Sequence, residues 1–268
     1  MLTKRLYSTL IIVPVIVAAL FNNWLLYAVV FAFTVGGLYE FFTMLERKGI
    51  SIYKYFGIGM GAVIPLSIMF RFELTKRWEL LFIVCALLFL TIMQFKRRQN
   101  SGAIIGISTT MFGILYVSWF FSFVVKIRQL QNGLGLLGAL VLITKLGDVG
   151  AYLIGSRFGN HPLIPRISPH KSVEGAFGGL AFSVMGAFAC QAMGMIDLPG
   201  PQLVFIGLLI GIVGQLGDLS ESLMKRDCEV KDSAGIIPGM GGVLDIIDSV
   251  LFTAPVFYFY ITIFLNYL

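Results

Sequence analysis

Apolar runs long enough to cross a bilayer recur along this chain from end to end, and no other feature limits its fold as strongly. A membrane-crossing helix needs about 20 mostly apolar residues. By that measure spans fall near 6–21, 24–44, 55–70, 78–95, 102–125, 133–155, 175–194, 201–217 and 247–267. Composition agrees: 57% of the 268 residues are hydrophobic and 13% are charged, against about 25% charged in a soluble domain. A soluble globular enzyme, a disordered chain and a collagen-like fibre are excluded. The expected fold is all-α, a polytopic integral membrane protein of about nine transmembrane helices. Lys4 and Arg5 precede the first span as in a signal peptide. No small-residue cleavage site follows convincingly, so the span reads as a retained helix. Cys85, Cys190 and Cys228 are widely spaced, with no C-x-x-C, and imply no disulfide framework.

Twenty Lys and Arg against 14 Asp and Glu give a net charge of +6, which invites a nucleic-acid reading. The placement of the charges argues against it. With the N-terminus inside, the inner segments hold 14 basic residues: Lys4, Arg5, Arg47, Lys48, Lys54, Lys96, Arg97, Arg98, Arg157, Arg166, Lys171, Lys225, Arg226 and Lys231. The outer loops hold five, Arg71, Lys76, Arg77, Lys126 and Arg128, and Lys145 lies inside a span. Cytoplasmic loops of membrane proteins carry the excess of Lys and Arg. The N-terminus is therefore expected in the cytoplasm and the C-terminus outside. The basic residues form no single stripe of the kind a duplex requires, so no nucleic-acid partner is expected.

Two long inner loops, 156–174 and 218–246, face the cytoplasm, where nucleotides are. Long irregular segments in a compact protein are usually functional. All seven Asp lie at position 148 or beyond, whereas the first half has only Glu40, Glu46, Glu73 and Glu79. Residues 1–132 read as a transmembrane scaffold of about five helices, and 133–268 as the catalytic part. No internal repeat of the transporter kind is evident.

Three groups of acids stand out. Asp148 sits deep in an apolar span; a charge at that depth marks function, unless Lys145, three residues away on the same helix face, simply neutralises it. Asp218, Glu221, Ser222 and Lys225 fall at i, i+3, i+4 and i+7 on a helix continuing from the eighth span, a pattern that a solvated helix end also shows. Asp245 and Asp248 are three apart at the start of the last span, after Pro238-Gly239-Met240-Gly241-Gly242. Paired carboxylates there suit a hard cation such as Mg²⁺, which keeps waters and phosphates in its shell. They suit ordinary helix capping as well. The glycines let a backbone approach a phosphate closely, or form a plain turn.

Together these residues resemble the signature of the phosphatidate cytidylyltransferase (CDP-diacylglycerol synthase) family. The resemblance rests on Gly217-Asp218-Leu219-Ser220-Glu221-Ser222, Lys225-Arg226, Lys231-Asp232 and Ile237 through Asp248. It extends to Asp148-Val149-Gly150-Ala151-Tyr152, Gly155, Gly159 and Ile167 through Gly175. It implies Mg²⁺-dependent transfer of CMP from CTP to phosphatidate at the cytoplasmic face of the cell membrane, by a homodimer, with a second cation left open. Asp218, Asp245 and Asp248 would be metal ligands, with Glu221 a lesser one, and Lys225 a further catalytic residue. Arg226 and Lys231 would steady phosphates, and Ser168, Lys171 and Ser172 would contact nucleotide or lipid phosphate. Glu174, Ser222, Asp232, Gly241 and Gly242 complete the substrate-binding set, and Asp148 and Tyr152 shape its wall.

Two departures separate this chain from the family pattern, which has His where Met240 stands and Arg where Ile246 stands. Methionine cannot exchange a proton and isoleucine cannot hold a phosphate. His170 also stands where the family often has Lys or Gly. Related alternatives are a CTP-dependent polyprenol or dolichol kinase and a CDP-archaeol synthase. A CDP-alcohol phosphotransferase is disfavoured because its last Asp pair is spaced by four. A channel or transporter is the alternative of another class.

Overall fold

The computed structural model describes residues 2–71, 78–96, 101–234 and 241–265, with side chains described for 10–71, 81–96, 101–234 and 241–265. The described chain is helical apart from one hairpin. In order, α1 spans Leu2–Phe21, α2 Asn23–Arg47, α3 Lys54–Met69 and α4 Trp78–Phe95. α5 (Ala103–Gly113) and α6 (Phe120–Arg128) run together through a π-helical stretch, Ile114–Trp119. α7 (Gly133–Phe158), α8 (Val173–Ala192), α9 (Gly200–Asp227) and α10 (Leu244–Phe259) follow, the last ending in a π-helical turn, Tyr260–Phe264.

Among the described residues, 6 helices are long and apolar enough to cross a membrane: Asn23–Arg47, Ala103–Arg128, Gly133–Phe158, Val173–Ala192, Gly200–Asp227 and Leu244–Phe264. Three shorter apolar helices, Leu10–Phe21, Lys54–Met69 and Leu81–Phe95, occupy the positions of the other expected spans. Large apolar side chains such as Leu88, Ile104, Met185, Phe205 and Phe264 point outward, as on a surface that lipid rather than water covers. The chain is an integral membrane protein.

α7 and α8 are held together by missing side chains. A Cβ on Gly150 would meet Phe182 and Gly178, one on Gly178 would meet Ile154, and one on Gly175 would lie 3.0 Å from Gly155 Cα. Lipid tails give helices no hydrophobic reason to associate, so small residues that allow backbone contact supply the attraction. The same device seats α9 on α10, where a Cβ on Gly217 would lie 2.6 Å from the Asp248 carbonyl oxygen. The inner face of α2 is filled by Leu38, Phe42 and Met44, all fully buried.

One expectation changes. The 156–174 loop is not irregular: β1 (Pro162–Ile164) pairs antiparallel with β2 (Ser168–Ser172). Ser172 then caps α8 by accepting from Gly175 N at 3.1 Å, a usual role for serine before a helix. In the 218–246 segment, α9 continues to Asp227, as the spacing of Asp218, Glu221 and Lys225 predicts. Good helix formers and the terminal Lys225 and Arg226 suit that extension.

Candidate active site

The C-terminal parts of α2, α7 and α9 meet the N-terminus of α10 at one end of the molecule. Lys48, just past α2, pairs with Asp227 at the end of α9. The 156–174 hairpin lies at this end too, tethered by Arg226 Nε, which donates to the Ile167 carbonyl at 3.3 Å.

One group of charges there is closed on itself. Lys225 pairs with Glu221 one turn back on α9 and donates to Asp245 Oδ1 at 2.6 Å. The other oxygen, Asp245 Oδ2, accepts from Gly242 N at 2.7 Å, Ser233 Oγ at 2.8 Å and Ser233 N at 3.3 Å. Gly241 has φ +92, a conformation side chains rarely adopt, and a Cβ there would meet Asp245. That turn brings the Gly242 amide onto the carboxylate. Beneath it lies Glu40 of α2, 1% exposed. It accepts from Val243 N at 2.8 Å, Leu244 N at 3.0 Å and Ser233 Oγ at 3.0 Å.

The second group is open. Lys145 Nζ donates to Asp148 Oδ2 at 2.9 Å and to Ser249 Oγ at 3.1 Å. Lys171 Nζ, on the hairpin, lies 2.6 Å from Asp218 Oδ2. Asp248 is 9% exposed and accepts from Ser249 N at 2.6 Å. It lies within electrostatic range of Asp218, Lys145 and Asp148. Among the described residues Asp248 forms no ion pair. A buried carboxylate without a bonded cation is costly, so this position favours an incoming positive charge.

Beside this group lies a cavity of about 530 Å³ whose lining includes Asp148, Tyr152, Ser168, Lys171, Ser172 and Asp218. Six of the residues singled out in the sequence thus share one wall. The lining also includes His170 and Gln215; Gln215 donates to the Ala176 carbonyl at 3.0 Å and carried no signal in the sequence.

The remaining sequence-predicted residues are elsewhere. Glu174 is tied to the start of the hairpin loop, accepting from Asn160 N at 3.1 Å and lying 2.6 Å from His161 Nδ1. Lys231 and Asp232 are exposed, Ser222 is half-buried on α9, and Ile246 is packed against the core. Met240 lies outside the described residues, as does the rest of 235–240. Sequence reasoning passed over Glu40 and Tyr116. Tyr116 lies in the π-helical stretch, stacked on Phe112 at 5.4 Å. Its hydroxyl is buried with no partner among the described residues, within range of Glu221, Asp248 and Asp218. An acid inside an apolar span was the available signal for Glu40; a π-helix leaves no sequence signature to expose Tyr116.

The expected metal set of Asp218, Glu221, Asp245 and Asp248 is divided between the two groups. Glu221 and Asp245 contact Lys225, while Asp218 and Asp248 lie with Asp148. Among the described residues no three His, Cys, Asp or Glu side chains gather closely enough to hold an ion alone. Two carboxylates and an adjoining cavity nevertheless match a hard cation that takes the rest of its shell from water and phosphate.

Comparison with known proteins bears on this site. The model of the cytidylyltransferase family matches residues 3–264. A phosphatidate cytidylyltransferase of Bacillus subtilis (strain 168) is 33% identical over 232 residues, 85% of each chain. One from Synechocystis sp. is 32% identical over 295 aligned positions, covering 98% of this chain and 97% of the relative. One from Staphylococcus aureus (strain COL) is 36% identical over 170 residues, 63% of this chain and 65% of the relative.

Proposed function

The chain belongs to the cytidylyltransferase family, and from that premise we propose that it is a phosphatidate cytidylyltransferase. It joins CTP and phosphatidate into CDP-diacylglycerol and releases pyrophosphate. The observation that carries the reading is the open charge group: paired Asp218 and Lys171 on a cavity wall, beside the buried Asp248, which has no ion pair among the described residues.

The chemistry asks for charge control more than for covalent help. An oxygen of the lipid phosphate attacks the α-phosphorus of CTP, forming the new P–O bond. The bond to the β-phosphate breaks, and its electron pair leaves with pyrophosphate. Phosphatidate already carries an ionised oxygen, so no strong general base is needed. Lys171 and Ser168 on the hairpin orient incoming phosphate, with Tyr152 and Asp148 forming the wall. Asp218 and Asp248 are the residues that would hold Mg²⁺. When bound, Mg²⁺ supplies neutralisation of phosphate charge. Lys225, held between Glu221 and Asp245, keeps the α9–α10 junction in place.

The nine-span topology with a cytoplasmic N-terminus, placement in the cell membrane with the site facing the cytoplasm, and assembly as a homodimer belong to the same proposal. The hydropathy pattern, the 14-to-5 distribution of Lys and Arg and the family resemblance support them. The direct test is incubation of purified protein with labelled CTP, phosphatidate and Mg²⁺. CDP-diacylglycerol is the expected product. A phosphorylated polyprenol formed instead, or no lipid product across several acyl lengths and metals, would overturn the reading.

A further inference from the structure

The Glu40 carboxylate is an unusual helix cap, because it comes from α2 rather than from the residues preceding α10. The first amides of a helix have no partner within the helix. Here Val243 N and Leu244 N donate to Glu40 Oε1 and Oε2, at 2.8 and 3.0 Å. Negative charge at that end also complements the helix dipole. The packing around it is tight: a Cβ on Gly242 would collide with both Ser233 Oγ and Glu40. Across α2, a Cβ on Gly36 would sit 3.1 Å from Val243.

Ser233 links this cap to the charged site. Its hydroxyl lies 3.0 Å from Glu40 Oε2 and 2.8 Å from Asp245 Oδ2. A hydroxyl has one proton, so Ser233 donates to one carboxylate at a time and shares it between the two. Asp245 in turn holds Lys225. Glu40, Ser233, Asp245 and Lys225 therefore form one chain of contacts from a helix in the first half of the sequence to the α9–α10 junction.

We propose that Glu40, acting through Ser233, is a positioning residue for cytidylyl transfer, setting the register of Gly242–Asp245 and thereby the orientation of the Asp245 carboxylate. The proposal rests on the assigned reaction, so its test has an arm that needs no turnover. In Glu40→Gln the amide nitrogen would face a backbone N–H in place of an acceptor. In Ser233→Ala the link is cut while the cap remains.

Expected for both variants, in protein that stays monodisperse in detergent, is a fall in kcat of about tenfold or more, which is about 1.4 kcal/mol per tenfold. KM for CTP should change less than threefold, and kcat is counted per folded enzyme, because unfolding of a fraction would lower apparent kcat without moving KM. The double variant should be no worse than the poorer single variant, as members of one network are non-additive. Glu40→Asp should recover part of the loss. Independently of activity, hydrogen exchange at the Val243 and Leu244 amides should quicken in Glu40→Gln. Protection equal to wild type at those amides, or a Ser233→Ala kcat within twofold of wild type, would overturn the proposal. Quickened exchange in a protein inactive even as wild type would retain the cap and count against the reaction instead.

Discussion

Two groups of charge stand side by side at the same end of this molecule and behave differently. Around Lys225 the charges engage one another: Lys225 pairs with Glu221 and Asp245, and Ser233 joins Asp245 to Glu40, although the buried Glu221 carboxylate accepts no hydrogen bond among the described residues. Around Asp248, three aspartates face two lysines, the surface opens into a cavity, and one carboxylate has no cation bonded to it among the described residues. Burying a complete ion network yields little net stability, but breaking it is expensive. Leaving a group incomplete costs stability and creates affinity for whatever completes it. The closed group is therefore framework and the open group is where ligand charge is received, although the sequence lists both as similar acid clusters.

The contrast can be broken experimentally, from the most drastic intervention downward. Chelation of divalent cations should abolish turnover, with Mg²⁺ restoring it; retained lipid product in excess chelator would remove the cation from the open group. Asp218→Asn and Asp248→Asn should each lower kcat by about 10²–10³ while thermal unfolding stays near wild type. If instead both proteins melt early, the open group is framework too. Lys225→Met leaves Glu221 and Asp245 buried without their cation, a change of about 3–5 kcal/mol at such sites. It should lower the unfolding temperature clearly, along with activity, and unaltered stability would contradict a framework role for this group. Lys171→Gln should raise KM for CTP by about tenfold, the loss of one charge-assisted contact, with a smaller change in kcat. Met240→His, which restores the family residue, should leave turnover equal or higher, and a large fall would mean that this chain has its own arrangement there.

Much of this was legible in the residues. Apolar runs give the helices because bilayer thickness sets a length that sequence shows directly. The spacing of Asp218, Glu221 and Lys225 places them on one helix, and α9 does carry them. What spacing cannot show is how charges divide once helices pack. Asp245 and Asp248 are three apart, yet one joins the closed group and the other the open one, because Lys225 reaches only the first. Glu40 was passed over for a related reason. Its partners lie 193 to 204 residues away in sequence, and no local pattern announces a cap supplied from that distance. The hairpin escaped notice because strands as short as Pro162–Ile164 leave no alternation to read.

The Glu40 contact also bears on biosynthesis. α2 is made early, carrying a carboxylate whose partner amides belong to a helix translated about two hundred residues later. Until α10 arrives, that acid must remain in water or find a temporary donor, since an unpaired carboxylate in lipid is costly. The first half of the protein can therefore enter the membrane before the second, but it cannot settle. Completion of the active end awaits α10.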